Sequence, residues 1–233
     1  MVSRLMRAAV VLFPGLNADA EMVRTLQLSG AKVSTVWHGE TALPGGVDLV
    51  AIPGGFSYGD YLRCGALAKA SPLTPAIVAH ANRGGLVLGV CNGFQILTEC
   101  QLLPGALTRN AHLRFECRDV FVKVVGDGPF SPGGAAEQRV LKLPIAHGEG
   151  RFQAAPEVLA RLAGEGHIGL VYSAHDGAVT AEANPNGSAQ NIAGIYGGPK
   201  KNVFGLMPHP ERMSEACLGG KDGLDLFLAA LAA

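Results

Sequence analysis

The chain carries little charge. Only 16% of its 233 residues are Asp, Glu, Lys or Arg, and nineteen basic residues cancel nineteen acidic ones. That balance forms no nucleic-acid footprint, since the longest basic run is the pair Lys200-Lys201. Aromatic residues make up 6% and Trp37 is the only tryptophan, which argues against a base-stacking surface. Five cysteines, an odd number without a C-x-x-C pair, argue against both a disulfide framework and a thiolate zinc site. The spacing of His112, His167 and His175 does not match a metal site either, so no metal is expected. No stretch of about 18 apolar residues is present to span a membrane. The start, Met1 to Arg7, leads into a strand-like run with no signal-peptide core before it. Met6 offers a second start, which would leave residues 1–5 as a loose tail. A reducing cytoplasm is the expected compartment, with no membrane or nucleic acid as partner.

What is present is a large apolar fraction, 48%, enough for a substantial core. The first hundred residues alternate strand and helix signals: strands at 8–13, 31–37, 47–52 and 86–90, helices at 19–29, 72–82 and 92–100. Such alternation predicts an α/β protein with a doubly wound, mostly parallel sheet and helices on both faces. The second half is less regular. One or two strands are expected over 114–125, a Gly/Pro-rich loop over 126–138 and a short helix over 155–163. Strands follow at 168–173, 192–196 and 203–207, then a terminal amphipathic helix over 223–232. No composition break or repeat divides the chain, so residues 1–233 read as one domain.

The most informative segment is Leu86-Val87-Leu88-Gly89-Val90-Cys91-Asn92-Gly93-Phe94-Gln95. An apolar strand meets a helix at Cys91, a junction that exposes a nucleophile on a sharp turn. The helix N-terminus there favours a thiolate. A base candidate lies in Met207-Pro208-His209-Pro210-Glu211. Prolines on both sides of His209 predict an extended segment, in which His209 and Glu211 point to one side. Glu211 could then orient the imidazole as the acid of a triad does. Glycines after the 47–52 strand, Gly54 and Gly55, let backbone approach a ligand. The N–H groups of Gly55 and Asn92 could hold an oxyanion. Each piece alone has a duller explanation as a packed cysteine, a surface turn or a glycine bend. Together, each after a strand, they point to an amide-attacking cysteine enzyme.

The elbow Gly89-Val90-Cys91-Asn92-Gly93-Phe94-Gln95 and Pro208-His209-Pro210-Glu211 resemble the class I (triad) glutamine amidotransferases. The segments 53–63, 114–116, 144–150, 184–188 and 205–212 narrow the resemblance to the glutaminase branch that serves formylglycinamidine ribonucleotide synthesis in the purine pathway. It runs from about Ala9 to the C-terminus. One departure is Gly15-Leu16-Asn17-Ala18-Asp19, where the family more often has Gly-Ser-Asn-Cys-Asp; no triad position is touched.

The resemblance implies a class I amidotransferase fold with a flavodoxin-like core. It makes Cys91 the nucleophile, His209 the general base and acid, and Glu211 the orienting carboxylate. Gly54, Gly55 and Asn92 would form the oxyanion and substrate site, and Gln95 would help hold glutamine. Ammonia would pass to a synthetase subunit that uses ATP and Mg, in a complex with a small third subunit; this chain, lacking a P-loop, would carry no cofactor. His147 is expected to contact glutamine or the synthetase, or to stabilise a loop. Arg63 and Tyr58 would gate the pocket, meet the partner, or serve as a buried ion pair and a core ring. Cys64, Cys100, Cys117 and Cys217 read as bystanders, and His112, His167 and His175 as surface or loop residues. The rivals are an amidotransferase serving another synthetase, a γ-glutamyl hydrolase, or a non-catalytic regulatory protein on the same fold; an intact Cys91, His209 and Glu211 argues against the last.

Overall fold

A computed structural model describes residues 5–233; the expected tail over residues 1–5 lies, except for Leu5, outside the described residues. The strands are β1 (Arg7–Leu12), β2 (Lys32–Trp37), β3 (Leu49–Ile52), β4 (Leu86–Val90), β5 (Ala106–Thr108), β6 (Glu116–Val124), β7 (Val140–His147), β8 (Arg151–Gln153), β9 (Ile168–Ser173), β10 (Ile192–Gly197) and β11 (Val203–Leu206). The helices are α1 (Asp19–Leu28), α2 (Thr74–Asn82), α3 (Asn92–Glu99), α4 (Gly134–Glu137), α5 (Pro156–Gly164) and α6 (Asp222–Ala232).

Nine strands form one sheet in the order β2-β1-β3-β4-β11-β10-β9-β6-β7, and β5 pairs with β8 in a small separate ribbon. The pairs from β2 through to β11 are all parallel. From β11 to β7 every pair is antiparallel. The parallel half is the doubly wound core, and its central strand β3 is buried at every residue because layers cover both faces. The connection β1–α1–β2 moves one way along the sheet and β3–α2–β4 the other. Right-handed crossovers therefore place α1 and α2 on opposite faces.

Three strands lie where none was expected, the short β5 and β8 and the longer β7. Val140–His147 contains Pro144, which lacks the N–H a central strand needs. The sheet accommodates it at its edge: β7 pairs with β6 on one side, Pro144 opposite Asp119. Its free side is then put to use. The Pro144 carbonyl accepts the backbone N–H of His209 at 2.8 Å, and the Lys142 N–H donates to Asp222 at the start of α6.

The core that supports the elbow is aromatic. Phe94 of α3 stacks on Phe152 of β8, and Phe204 of β11 stacks between Phe130 and Tyr196. All five rings are fully buried, each contributing about 1.5–3 kcal/mol by transfer from water. Gly93 lets α3 close onto the sheet, because a Cβ there would stand 2.0 Å from the Ile52 carbonyl oxygen.

Candidate active site

The site forms where β3, β4 and β11, three neighbouring parallel strands, deliver their C-terminal ends to one edge of the sheet. Cys91 follows β4 directly. Its backbone takes φ 52° and ψ −103°, a left-handed φ that a residue with a Cβ adopts at a cost of about 1–3 kcal/mol. Two bonds fix the turn: Cys91 N–H donates to the Leu206 carbonyl at 2.8 Å, and its own carbonyl accepts from Gln95 N–H at 3.1 Å. The thiol is buried, 3.8 Å from the Ala146 carbonyl oxygen of β7.

His209 and Glu211 follow β11. The segment is not extended, as the flanking prolines had suggested. Pro210–Arg212 forms a short 3₁₀ turn instead. Pro210 starts that turn, where its fixed φ fits and its missing N–H is not needed. The turn is pinned from α1: Thr25 Oγ1 donates to the Glu211 carbonyl, which also accepts from Ser214 Oγ. The intended pairing survives the change of backbone, with His209 Nδ1 2.6 Å from Glu211 Oε1 and both side chains buried. Burial opposes a charged imidazole, but Glu211 and the Cys91 thiol outweigh it and raise His209 to about 10. His209 Nε2 and Glu211 Oε2 are buried without hydrogen-bond partners.

Gly54 separates the two reactive side chains. A methyl group in place of its hydrogen would lie 2.5 Å from His209 Cε1 and 3.3 Å from Cys91 Cβ. Its carbonyl accepts from Asn17 N–H and Ala18 N–H, each at 3.2 Å. Next to it, Gly55 holds φ +147°, and a Cβ there would meet Leu16 Cα at 2.5 Å. The loop's bonds run from Asn17 N–H and Phe56 N–H, which leaves the Gly55 N–H uncommitted. Asn92 N–H is one of the free donors of the first turn of α3. Its side chain bridges inward, accepting from Ser57 N–H and donating to Gln95 Oε1. Gln95 also donates to the Glu149 carbonyl at 2.7 Å, so its amide braces the elbow against the 148–150 turn while the residue lines the cavity.

Two cavities meet at Cys91. One of about 230 Å³ is lined by Asp60, Cys64, Gln95, His147 and Glu149. The other, about 110 Å³, is lined by Asn17, His209 and Arg212, and both share Gly55, Phe56, Phe115 and Ala146. Sequence reasoning assigned no part to Asp60, Glu149 or Arg212. They sit in or beside the motif segments already quoted, but their side chains converge only through the fold. Cys64 is no remote bystander: it lines the larger cavity, where burial and the Asp60 carboxylate push its thiol far up. His147 is held by Asn110, whose Oδ1 lies 3.1 Å from Nδ1, and burial pushes it down to about 4, leaving it neutral. Arg63 does not form a buried pair: largely exposed, it grips Glu99 through two bonds of 2.6 Å. The Tyr58 hydroxyl bonds His38 and Ser71, anchoring the 56–60 loop beyond the end of β2. Among the described residues no cluster of three or more His, Cys, Asp or Glu could hold a metal, and no helix is long and apolar enough to cross a membrane.

A thiol, an imidazole–carboxylate pair and uncommitted N–H donors at one sheet edge can attack an amide and protonate the departing amine. Comparison with known proteins agrees with that chemistry. The profile of the CobB/CobQ-like glutamine amidotransferase domain matches residues 5–219. Phosphoribosylformylglycinamidine synthase subunit PurQ of Bradyrhizobium diazoefficiens is 54% identical over 224 residues, 95% of each chain. The subunit of the same name from Cereibacter sphaeroides is 52% identical over 227 residues, 97% of each. A chain in the solved structure of PurLQS from Thermotoga maritima superposes with a TM-score of 0.85 at 38% identity, covering 98% of this chain and 99% of that one. The chain belongs to the CobB/CobQ-like glutamine amidotransferase family and, within it, to the glutaminase subunits of phosphoribosylformylglycinamidine synthase.

Proposed function

We propose that Cys91, His209 and Glu211 release ammonia from glutamine for a separate synthetase subunit. The observation that carries this reading is the elbow itself, a strained cysteine beside an imidazole locked to a buried carboxylate. The Cys91 thiol gives its proton to His209 as the sulfur adds to the side-chain amide carbon, and Gly55 N–H and Asn92 N–H receive the oxyanion. His209 passes a proton to the amide nitrogen, the C–N bond breaks, and ammonia leaves a γ-glutamyl thioester. A water then adds to the thioester, giving up a proton to His209. The C–S bond breaks, His209 returns the proton to the sulfur, and glutamate and the thiol are released. Gln95 braces the elbow in this scheme and lines the cavity that takes glutamine.

The synthetase partner, with a small third subunit, uses ATP and Mg to join the ammonia to formylglycinamide ribonucleotide. The compartment is the cytoplasm, consistent with free thiols throughout. The test is a glutaminase assay of the chain alone and of the chain mixed with the synthetase from the same source. The chain alone is expected to be a poor glutaminase and the complex a good one. Full activity without the partner contradicts that dependence.

A variant probes the spacing of nucleophile and base. In Gly54→Ala the added methyl intrudes on an imidazole that Glu211 and burial hold in place. Displacing the base from the thiol is expected to lower kcat by about 100-fold. Wild-type kcat in a folded Gly54→Ala complex contradicts the arrangement.

A further inference from the structure

The segment that carries the Gly55 N–H is anchored away from the reacting atoms. Residues 54–58 run beside residues 14–18. Asn17 N–H and Ala18 N–H donate to the Gly54 carbonyl, Phe56 N–H to the Gly15 carbonyl and Tyr58 N–H to the Pro14 carbonyl at 2.7 Å. The two segments hold each other, so a shift of one carries the other. Past Gly55 the backbone turns sharply, with φ of 54° at Tyr58, 67° at Gly59 and 55° at Asp60. Residues with a side chain keep that left-handed conformation only where their surroundings over-determine it. At Tyr58 the side chain supplies the constraint. Its hydroxyl oxygen lies 2.9 Å from His38 Nδ1 and 2.7 Å from Ser71 Oγ, and those two atoms are 3.2 Å apart. With its proton on Nε2, His38 accepts from Tyr58, and Tyr58 accepts from Ser71. The imidazole also meets the Tyr58 ring edge-on and stacks on Phe13. Both partners belong to the scaffold. His38 follows β2; its N–H donates to the Leu12 carbonyl of β1, and its carbonyl accepts from Leu73 N–H. Ser71 is buried just ahead of α2.

We infer that the Tyr58 hydroxyl, clamped by His38 and Ser71, is a positioning group that fixes the Gly55 N–H relative to Cys91 for the oxyanion. This rests on the proposed attack of Cys91 on glutamine. Tyr58 lines neither cavity at Cys91, so it acts through the backbone of its loop and not by touching substrate. The neighbouring Ser57 N–H donates to Asn92 Oδ1 at 3.1 Å, which ties the same loop to α3, the helix that supplies the second oxyanion donor. Asn92 thereby sets the two donors relative to each other, and Tyr58 sets them relative to the sheet. A ground-state carbonyl gains little from such donors and a developing oxyanion gains much, so the clamp acts on kcat and not on KM.

The test is Tyr58→Phe in the complex with its synthetase. The ring and its contact with His38 stay, and one oxygen leaves. Glutamine-dependent kcat is expected to fall about 10–100-fold, with KM for glutamine within about 2-fold of the wild type. Alkylation of Cys91 by iodoacetamide, a displacement that forms no oxyanion, should keep its wild-type rate, and so should ammonia-driven synthesis. Ser71→Ala should act in the same direction, and the double variant should lose no more than the worse single one. A wild-type kcat in Tyr58→Phe overturns the inference, as do fully additive losses in the double variant. So does a loss of kcat that comes with a raised KM, a changed alkylation rate or failing ammonia-driven synthesis, which marks general loosening of the subunit. A wild-type complex that does not hydrolyse glutamine overturns the amidotransferase reading itself and this inference with it.

Discussion

Cys91→Ala abolishes glutamine-driven amidine synthesis by the complex while ammonia-driven synthesis continues at the wild-type rate. Removing the nucleophile of a triad lowers turnover by about 10⁶-fold. No other cysteine can replace it. Cys64, which lines the same cavity, is held protonated by burial and by Asp60. Cys100 is pushed up to about 11 by burial, and Cys117 and Cys217 are exposed outside both cavities at the site. The fold should tolerate the change, because Cys91 is placed by its backbone bonds to Leu206 and Gln95 rather than by its side chain. Alanine must still adopt φ 52°, but so does the cysteine it replaces. The check is product formation from glutamine and from ammonium chloride in parallel. Loss of both activities would place Cys91 in the folding or docking of the subunit rather than in its chemistry.

Glu211→Gln is the second large effect. The carboxylate accepts from His209 Nδ1, fixes the tautomer that aims Nε2 away from it, and supports the imidazolium. Once it is neutral, burial dominates, and His209 falls from about 10 toward or below the ordinary imidazole range. At neutral pH the imidazole then lacks the proton that ammonia must take with it. A drop of about 10²–10⁴-fold in kcat is expected, with KM for glutamine little changed. The residual activity should fall further as pH rises through the lowered His209 value. A pH profile unchanged from the wild type would mean that Glu211 does not set the protonation of His209.

The site was legible in unequal parts. Cys91 could be found because a strand-to-helix junction is a local pattern, and the glycines at 89 and 93 mark it. His209 and Glu211 could be paired because they are two residues apart, although the extended geometry invoked to pair them was wrong. Pro210 starts a 3₁₀ turn, and Thr25 from α1, 186 positions away in sequence, holds it. β7 was missed because Pro144 argues against a strand in any place but an edge, and sequence alone does not say which strand is the edge. The same ignorance hid the acceptor-lined cavity. Asp60 sits in a loop, Cys64 four residues on, and Glu149 just after β7; only the sheet order brings them beside Cys91. Nothing periodic in the sequence records that meeting. The antiparallel extension from β10 to β7 was likewise visible only as irregular short strands.

The central claim is that glutamine nitrogen is released by a covalent step on one sulfur. It is tested most directly by acid-quenching the complex during glutamine turnover and mapping the adduct by peptide mass spectrometry. The account predicts a γ-glutamyl group on the peptide bearing Cys91, absent from Cys91→Ala and increased in any variant that slows thioester hydrolysis. An adduct on Cys64 or another cysteine, or glutamine turnover in Cys91→Ala, would contradict it.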